Sequence, residues 1–343
     1  MSDIETMEAG LAGTECSVED RTNLHFSLGK AYADMNAFEK SFRHFARGNA
    51  ITRLGVEHDP DVLTTYVSAC RRVFTADFFR IHAGSGCSSP GPIFVVGMPR
   101  AGSTLLEQIL ASHSQIEGTR ELADLALLSR EIQQRAAEEG GEYPDLLAGF
   151  DSTSLRRLGE RYLERTLVHR KLQGRFFIDK MGANFVHIGL IQLILPNARI
   201  VDVRRHPMAC CFSNFAQLFR KGQNNAYRLT DLGRLYRDYV ELMAHFDSVL
   251  PGAVHRVLYE DLVGDPETEV RRVLAFLGLG FEDACLNFSN TDRVVTTVSS
   301  EQVRRPIYRD ALDHWRHYEP WLGALKTTLG PVLDVYPDVP AFA

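Results

Sequence analysis

The sequence predicts an α/β fold: a P-loop-type, mainly parallel sheet with helices on both faces, preceded by a small all-α region. Three observations in its 343 residues carry that reading. Short continuous runs of β-branched and aromatic residues alternate with helical stretches, which is the pattern of strands buried on both faces. One of these runs passes through a glycine loop directly into a helix. A Gly/Ser/Pro-rich break at 84–92 separates the alternating part from a purely helical beginning.

Taken in order, residues 1 to about 20 are polar and read as loose. From Asn23 the sequence becomes helical. Leu28-Gly29, Tyr32, Phe45 and Gly48 stand where a tetratricopeptide unit places its Leu-Gly, Tyr, Phe and small residue, while His25 replaces the usual aromatic and Ser41 the usual Ala. One such unit cannot bury its own apolar face and must stack on something else. A further helix over 60–82 carries Val62, Leu63, Tyr66, Val67, Val73, Phe74 and Phe78. Peptide-binding arrays need several repeats, so the region reads as a tetratricopeptide-like helical cap, with domains at 1–88 and 89–343.

The first strand covers 93–96, and the loop Gly97-Met98-Pro99-Arg100-Ala101-Gly102-Ser103-Thr104 follows. Leu105, Leu106, Ile109 and Leu110 then fall at helical spacing, with Glu107 and Gln108 as the polar residues between them. Strand, glycine loop and helix N-terminus together surround a phosphate with backbone N–H groups. The spacing is that of a Walker A loop with Ser103 in the position of its Lys, which disfavours ATP or GTP hydrolysis. A phosphate cradle carrying Arg100 as its cation remains.

A helical stretch from Leu122 to about Glu138 is broken by Gly140-Gly141 and Pro144, and Asp151-Ser152 caps another that runs to about Leu172. A second strand at 176–178 ends in Asp179-Lys180, and the helix after it is closed by Pro196-Asn197. A third at 199–203 ends in Arg204-Arg205-His206-Pro207, before a helix from about Met208 that carries Ser213. A fourth at 256–259 leads through Glu260-Asp261 to a helix over Pro266–Leu277, and 320–343 reads as a helix with a Pro-rich tail. Ligands of parallel sheets bind beyond the carboxyl ends of the strands. Arg100, Lys180, Arg205 and Glu260 stand at those ends. Three cations directed at one crevice imply an anion with more than one charged group.

The net charge of −6 argues against a general nucleic-acid binder while allowing a local basic pocket. Six cysteines form no CxxC pair and no metal-like cluster, so a reduced, cytoplasmic protein without a metal is expected. His187, Trp315 and His317 read as structural. The first ten residues lack an apolar h-region, and no apolar run approaches membrane-spanning length.

Two motifs combine into a family resemblance: 96–104, and Arg205-His206-Pro207 with Ser213 eight residues after the Arg. In that order, each at a strand end, they resemble the PAPS-dependent sulfotransferases. Within these the chain is most similar to the tyrosylprotein-sulfotransferase-like group, whose bacterial members often carry an N-terminal tetratricopeptide region. The resemblance covers residues 90 to about 318. It implies that the loop (Pro99, Arg100, Ala101, Gly102, Ser103 and Thr104) holds the 5′-phosphosulfate of PAPS, and that Arg205 and Ser213 hold its 3′-phosphate. Arg204 competes for that contact, with the spacing to Ser213 favouring Arg205.

The resemblance also implies that Lys180 neutralises the departing bridging oxygen and that Glu121 is the base for an acceptor hydroxyl. The competing readings, which carry less weight, are a surface ion pair of Lys180 with Asp179 and a first-turn place for Glu121 in the following helix. Tyr259 matches a nucleotide-contacting Tyr or packs against the sheet. In the late segment 299–308, Ser299 joins the catalytic group, and Arg304 and Arg305 are candidates for further donor contacts. The related group has an Arg two residues after its catalytic Glu, where this chain has Ala123, so the identity of the acceptor does not transfer directly.

The expected function is transfer of a sulfuryl group from PAPS to a hydroxyl of a peptide, glycan or small molecule, with PAP as product. A homodimer is left open. The alternatives are an ATP-dependent phosphotransferase and an inactive tetratricopeptide-type scaffold.

Overall fold

The computed structural model describes residues 3–13, 16–138, 140–172, 174–219, 222–288 and 312–342. Helix α1 (Asp3–Ala12) forms where the sequence reads as loose, with Asp3 and Glu5 at the end of the helix dipole that favours acids. Helix α2 (Val18–Asp34) opens at Ser17, whose Oγ accepts the Asp20 N–H at 3.0 Å, and α3 (Phe38–Leu54) follows. The single helix expected over 60–82 is two, α4 (Asp61–Val73) and α5 (Ala76–Ile81). Thr75 divides them: its extended backbone ends the first, and its side chain caps the second through the Phe78 N–H.

The alternating part runs β1 (Pro92–Val96), α6 (Ser103–Leu110), β2 (Ile116–Gly118), α7 (Asp124–Glu138), α8 (Ser152–Thr166) and β3 (Phe176–Asp179). A 3-10 turn at Gly182–His187 leads into α9 (Ile188–Ile194), β4 (Arg199–Arg204), α10 (Pro207–Phe215) and α11 (Leu229–Val249). Then come β5 (Val254–Leu258), α12 (Tyr259–Gly264), α13 (Pro266–Leu277), α14 (Gly323–Leu329) and α15 (Pro331–Asp334).

The chain forms two compact units. One comprises Met1–Leu63, His206–Asp238 and Asp310–Ala343; the other comprises Thr64–Arg205 and Tyr239–Arg309.

In the first unit, small residues let α2 and α3 approach closely. A Cβ at Gly29 would collide with the Phe45 ring, and one at Gly48 with the Phe26 ring. Ser41, in the place of the expected Ala, donates to the Gly29 carbonyl at 2.6 Å and lies 2.9 Å from the Tyr318 hydroxyl. The helix pair does not bury its apolar face alone. Asn49 donates to the Phe215 carbonyl of α10 at 2.7 Å, and Phe42 stacks on Phe215 and Trp321.

The second unit is built on a five-stranded parallel sheet in the order β2-β3-β1-β4-β5. The central strand β1 is fully buried and pairs Phe94 with Asp179 on one side and Val96 with Asp202 on the other. The edge strand β2 is absent from the sequence reading, because a three-residue segment containing Glu117 and Gly118 has no β-branched run. Strand β5 starts earlier than expected, and Tyr259 belongs to α12. Glu107 and Gln108, read as the polar side of α6, are buried. Among the described residues, no helix is long and apolar enough to cross a membrane.

Candidate active site

The strand order brings the carboxyl ends of β3, β1 and β4 side by side in the second unit, at the roughly 4.8 Å spacing of neighbouring strands. The loop after β1 takes its shape from its neighbours. Gly97 has φ 133°, and a Cβ there would strike the Val203 carbonyl on β4. Its N–H donates to the Gly182 carbonyl at 3.1 Å, which ties the loop to the turn after β3. Arg100 has φ 65°, a left-handed conformation uncommon for a side chain of its size. Gly102, left-handed at φ 108°, caps α6, and a Cβ there would collide with the Tyr259 ring. Ser103 and Thr104 form the first turn of α6, where backbone N–H groups lack intrahelical acceptors.

On the β4 side the two arginines take different surroundings. Arg204 is buried, 3.6 Å from Asp202, with its guanidinium over the Tyr239 ring at 5.4 Å. Arg205 donates from Nη1 to the Arg100 carbonyl at 3.1 Å and lies over the Tyr259 ring at 4.8 Å. Arg205 therefore braces the glycine loop, while Arg204 belongs to the interior. Asp202 also accepts from the Tyr239 hydroxyl and from Arg256 Nε at 3.0 Å. Burial and the adjacent Asp202 carboxylate push the Tyr239 phenol well above its ordinary value.

On the β3 side, Lys180 is 2% exposed, so the surface ion pair with Asp179 is not what forms. Lys180 Nζ instead lies 2.7 Å from Glu121 Oε1 and 3.9 Å from Glu107 Oε2. Glu121 sits in the segment between β2 and α7, three residues before that helix begins, and its side chain is 53% exposed. Asp124, rather than Glu121, is the acid of the first helical turn. Asp179 is fully buried and accepts from the Tyr162 hydroxyl at 2.8 Å. Burial raises its carboxyl to about 7, with the Tyr162 hydrogen bond opposing that rise.

The structure thus gathers Pro99 to Thr104, Arg205 and Tyr259 around the loop, and pairs Lys180 with Glu121 at the neighbouring strand end. Glu260 follows Tyr259 in α12. Ser213 lies on α10, half-buried, in the first unit. Ser299, Arg304 and Arg305 lie outside the described residues. The sequence reading missed Glu107 as a second carboxylate facing Lys180; the one available signal was its place one helical turn after Thr104. Among the described residues, no group of three or more His, Cys, Asp or Glu is placed to hold a metal ion.

The model of the sulfotransferase family matches residues 92–283, more than half of the chain. An uncharacterised protein of Aquifex aeolicus is 31% identical over 325 residues, covering 93% of this chain and 43% of that protein. Protein-tyrosine sulfotransferase A of Caenorhabditis elegans is 24% identical over 253 residues, covering 68% of this chain and 64% of the relative. The chain therefore spans less than two thirds of the length of either relative. In fold, it resembles the sulfotransferase domain from the Synechococcus PCC 7002 olefin synthase, with a TM-score of 0.52 and 22% identity, over 74% of this chain and 97% of that domain.

Proposed function

The chain belongs to the sulfotransferase family, and from that premise we propose that it transfers the sulfuryl group of PAPS to an acceptor hydroxyl by in-line displacement, releasing PAP. The observation that carries this reading is the buried Lys180, held 2.7 Å from Glu121 at the strand end beside the glycine loop. A buried ammonium next to a phosphate-type loop suits a reaction in which negative charge grows on a leaving oxygen.

The residues fit the donor. Gly102 leaves no room for a Cβ at the mouth of α6, and the first turn of that helix offers N–H groups and the Ser103 and Thr104 side chains to a 5′-phosphosulfate. Arg205 and Ser213 are assigned the 3′-phosphate on their sequence spacing, a guanidinium being suited to bidentate contact with such a group. Tyr259, packed against Gly102 and beneath Arg205, offers a ring face to the nucleotide. When bound, the donor supplies an activated sulfuryl group; everything else is positioning and charge.

Lys180 moves from Glu121 to the bridging oxygen as charge develops there. That exchange releases the Glu121 carboxylate, whose Oε1 takes the proton of the acceptor hydroxyl. The half-exposed side of Glu121 leaves the acceptor an approach from solvent. The acceptor is a hydroxyl of a peptide, glycan or small molecule.

Calorimetric titration with PAP, run beside 5′-AMP and ATP, tests the reading. Tight binding of PAP with weak binding of the other two is expected. Binding of ATP without preference for PAP would overturn the assignment and make phosphotransfer the leading reading.

A further inference from the structure

Helix α6 buries Leu106, Glu107, Gln108, Ile109 and Leu110 directly after the glycine loop. Among these, Glu107 is out of place by charge. It stands one helical turn after Thr104, on the same face of α6. A carboxylate so near a cradle for anions opposes the ligand, and burial is costly for it unless a cation matches it. The match is Lys180, whose Nζ lies 3.9 Å from Glu107 Oε2.

Lys180 therefore stands between two carboxylates of different kinds. Glu121 is the nearer, at 2.7 Å, and its side chain is half-exposed in the segment before α7. Glu107 is the farther, with a side chain only 6% exposed and a backbone fixed in a helix. The exposed carboxylate can exchange Lys180 for an acceptor hydroxyl. The buried one cannot leave.

We propose that Glu107 is a positioning residue, the standing counter-charge of Lys180, which keeps the ammonium at the strand end when Glu121 releases it. The inference rests on the roles given above to the glycine loop, Lys180 and Glu121. As the acceptor oxygen bonds to sulfur and the bridging S–O bond breaks, the acceptor proton passes to Glu121 and neutralises it. Of the two carboxylates beside Lys180, Glu107 is then the one still charged. An ammonium held by a fixed partner meets the leaving oxygen without reorganisation.

Urea unfolding of the full chain tests the shared cation without any need for turnover. Glu107→Gln leaves Lys180 paired with Glu121, and Glu121→Gln leaves it paired with Glu107, so each should lower the midpoint modestly. The double variant strands a buried ammonium and should lose clearly more than the two single losses combined. A double variant that fails to fold where both single variants fold is the extreme of that result. Losses that simply add would overturn the proposal.

PAP titration and PAPS turnover, with 4-nitrophenol as the acceptor probe, supply the functional arm. Glu107→Gln should lose on the order of tenfold or more in kcat. It should bind PAP at least as tightly as the wild type does, because an anion beside the cradle has gone. Glu107→Asp, with the charge kept and the reach shortened, should fall between the two in kcat. A residue that merely supports the fold would lose PAP affinity along with kcat. That outcome, or wild-type kcat in Glu107→Gln, overturns the positioning role. Where Glu107→Gln does not fold, Glu107→Asp decides by the same split between kcat and PAP affinity. A wild type that fails to turn over PAPS strikes the sulfotransferase reading alone, and the unfolding measurements still decide the counter-charge.

Discussion

Strands β3 and β4 flank β1 and end in closely matched chemistry. Each carries a fully buried aspartate that accepts a tyrosine hydroxyl, Asp179 from Tyr162 and Asp202 from Tyr239, and each then presents a cation, Lys180 or Arg205. They differ in what surrounds the carboxylate. Asp202 lies between the guanidinium groups of Arg204 and Arg256, so its charge is matched inside the protein. The donors to Asp179 are a phenol and an amide side chain, both neutral. A hydrogen-bonded acid beside cations is a fixed pin; the same acid among neutral donors becomes a group that titrates near neutrality. The β4 end braces the loop through Arg205, and the β3 end pairs Lys180 with Glu121.

The largest effect that would break this comparison is on the β4 side. Asp202→Ala leaves two guanidinium groups without their shared carboxylate and should cost about 3–5 kcal/mol in urea unfolding. A loss as small as that of an ordinary surface substitution would mean the cluster is not the pin described here. Glu121→Gln should lower turnover by roughly a hundredfold or more while PAP affinity stays close to wild type. Full activity in that variant would remove Glu121 as the base. Arg205→Ala should weaken PAP binding on the order of tenfold or more, because a charge-assisted contact and the brace on the Arg100 carbonyl go together. Unchanged affinity would reassign the 3′-phosphate.

A further effect sharpens the comparison on the β3 side. The folded-state value of Asp179, about 7, lies above its ordinary 3.8, so the native state holds an extra proton between those limits. Its contribution to stability is then fully present below the ordinary value and is lost as pH rises towards 7, with a slope approaching 1.4 kcal/mol per pH unit. Asp179→Asn should flatten that dependence in denaturant titrations between pH 5 and 7.

Much of this architecture is legible in the residues. The runs at 93–96 and 176–178 are fully buried and that at 199–203 is buried beyond Arg199, and such strands need no partner information to be recognised. The edge strand β2 is not legible, because pairing with Phe176 and its neighbours makes it a strand and its own residues do not. The same holds for polar residues taken inward. Glu107 looks like the wet face of α6 until the neighbouring strand places Lys180 opposite it. A strand end nominates Lys180 and the family resemblance nominates Glu121, but the hydrogen bond between them is a product of three-dimensional placement. The distinct surroundings of Arg204 and Arg205 follow from strand alternation at the end of β4, which directs successive side chains to opposite faces.

The glycine loop has a consequence for anyone who would move it. Gly97 is shaped against Val203, its amide is held by Gly182, and Gly102 is seated under Tyr259. The residues that mould an eight-residue motif thus stand at three other strand ends, the farthest of them more than 150 positions beyond the loop. A graft of 97–104 onto another parallel sheet would carry the letters of the motif and leave its mould behind. The heritable unit is the whole row of strand ends, and drift at Gly182 or Tyr259 would reshape the loop without altering a single residue within it.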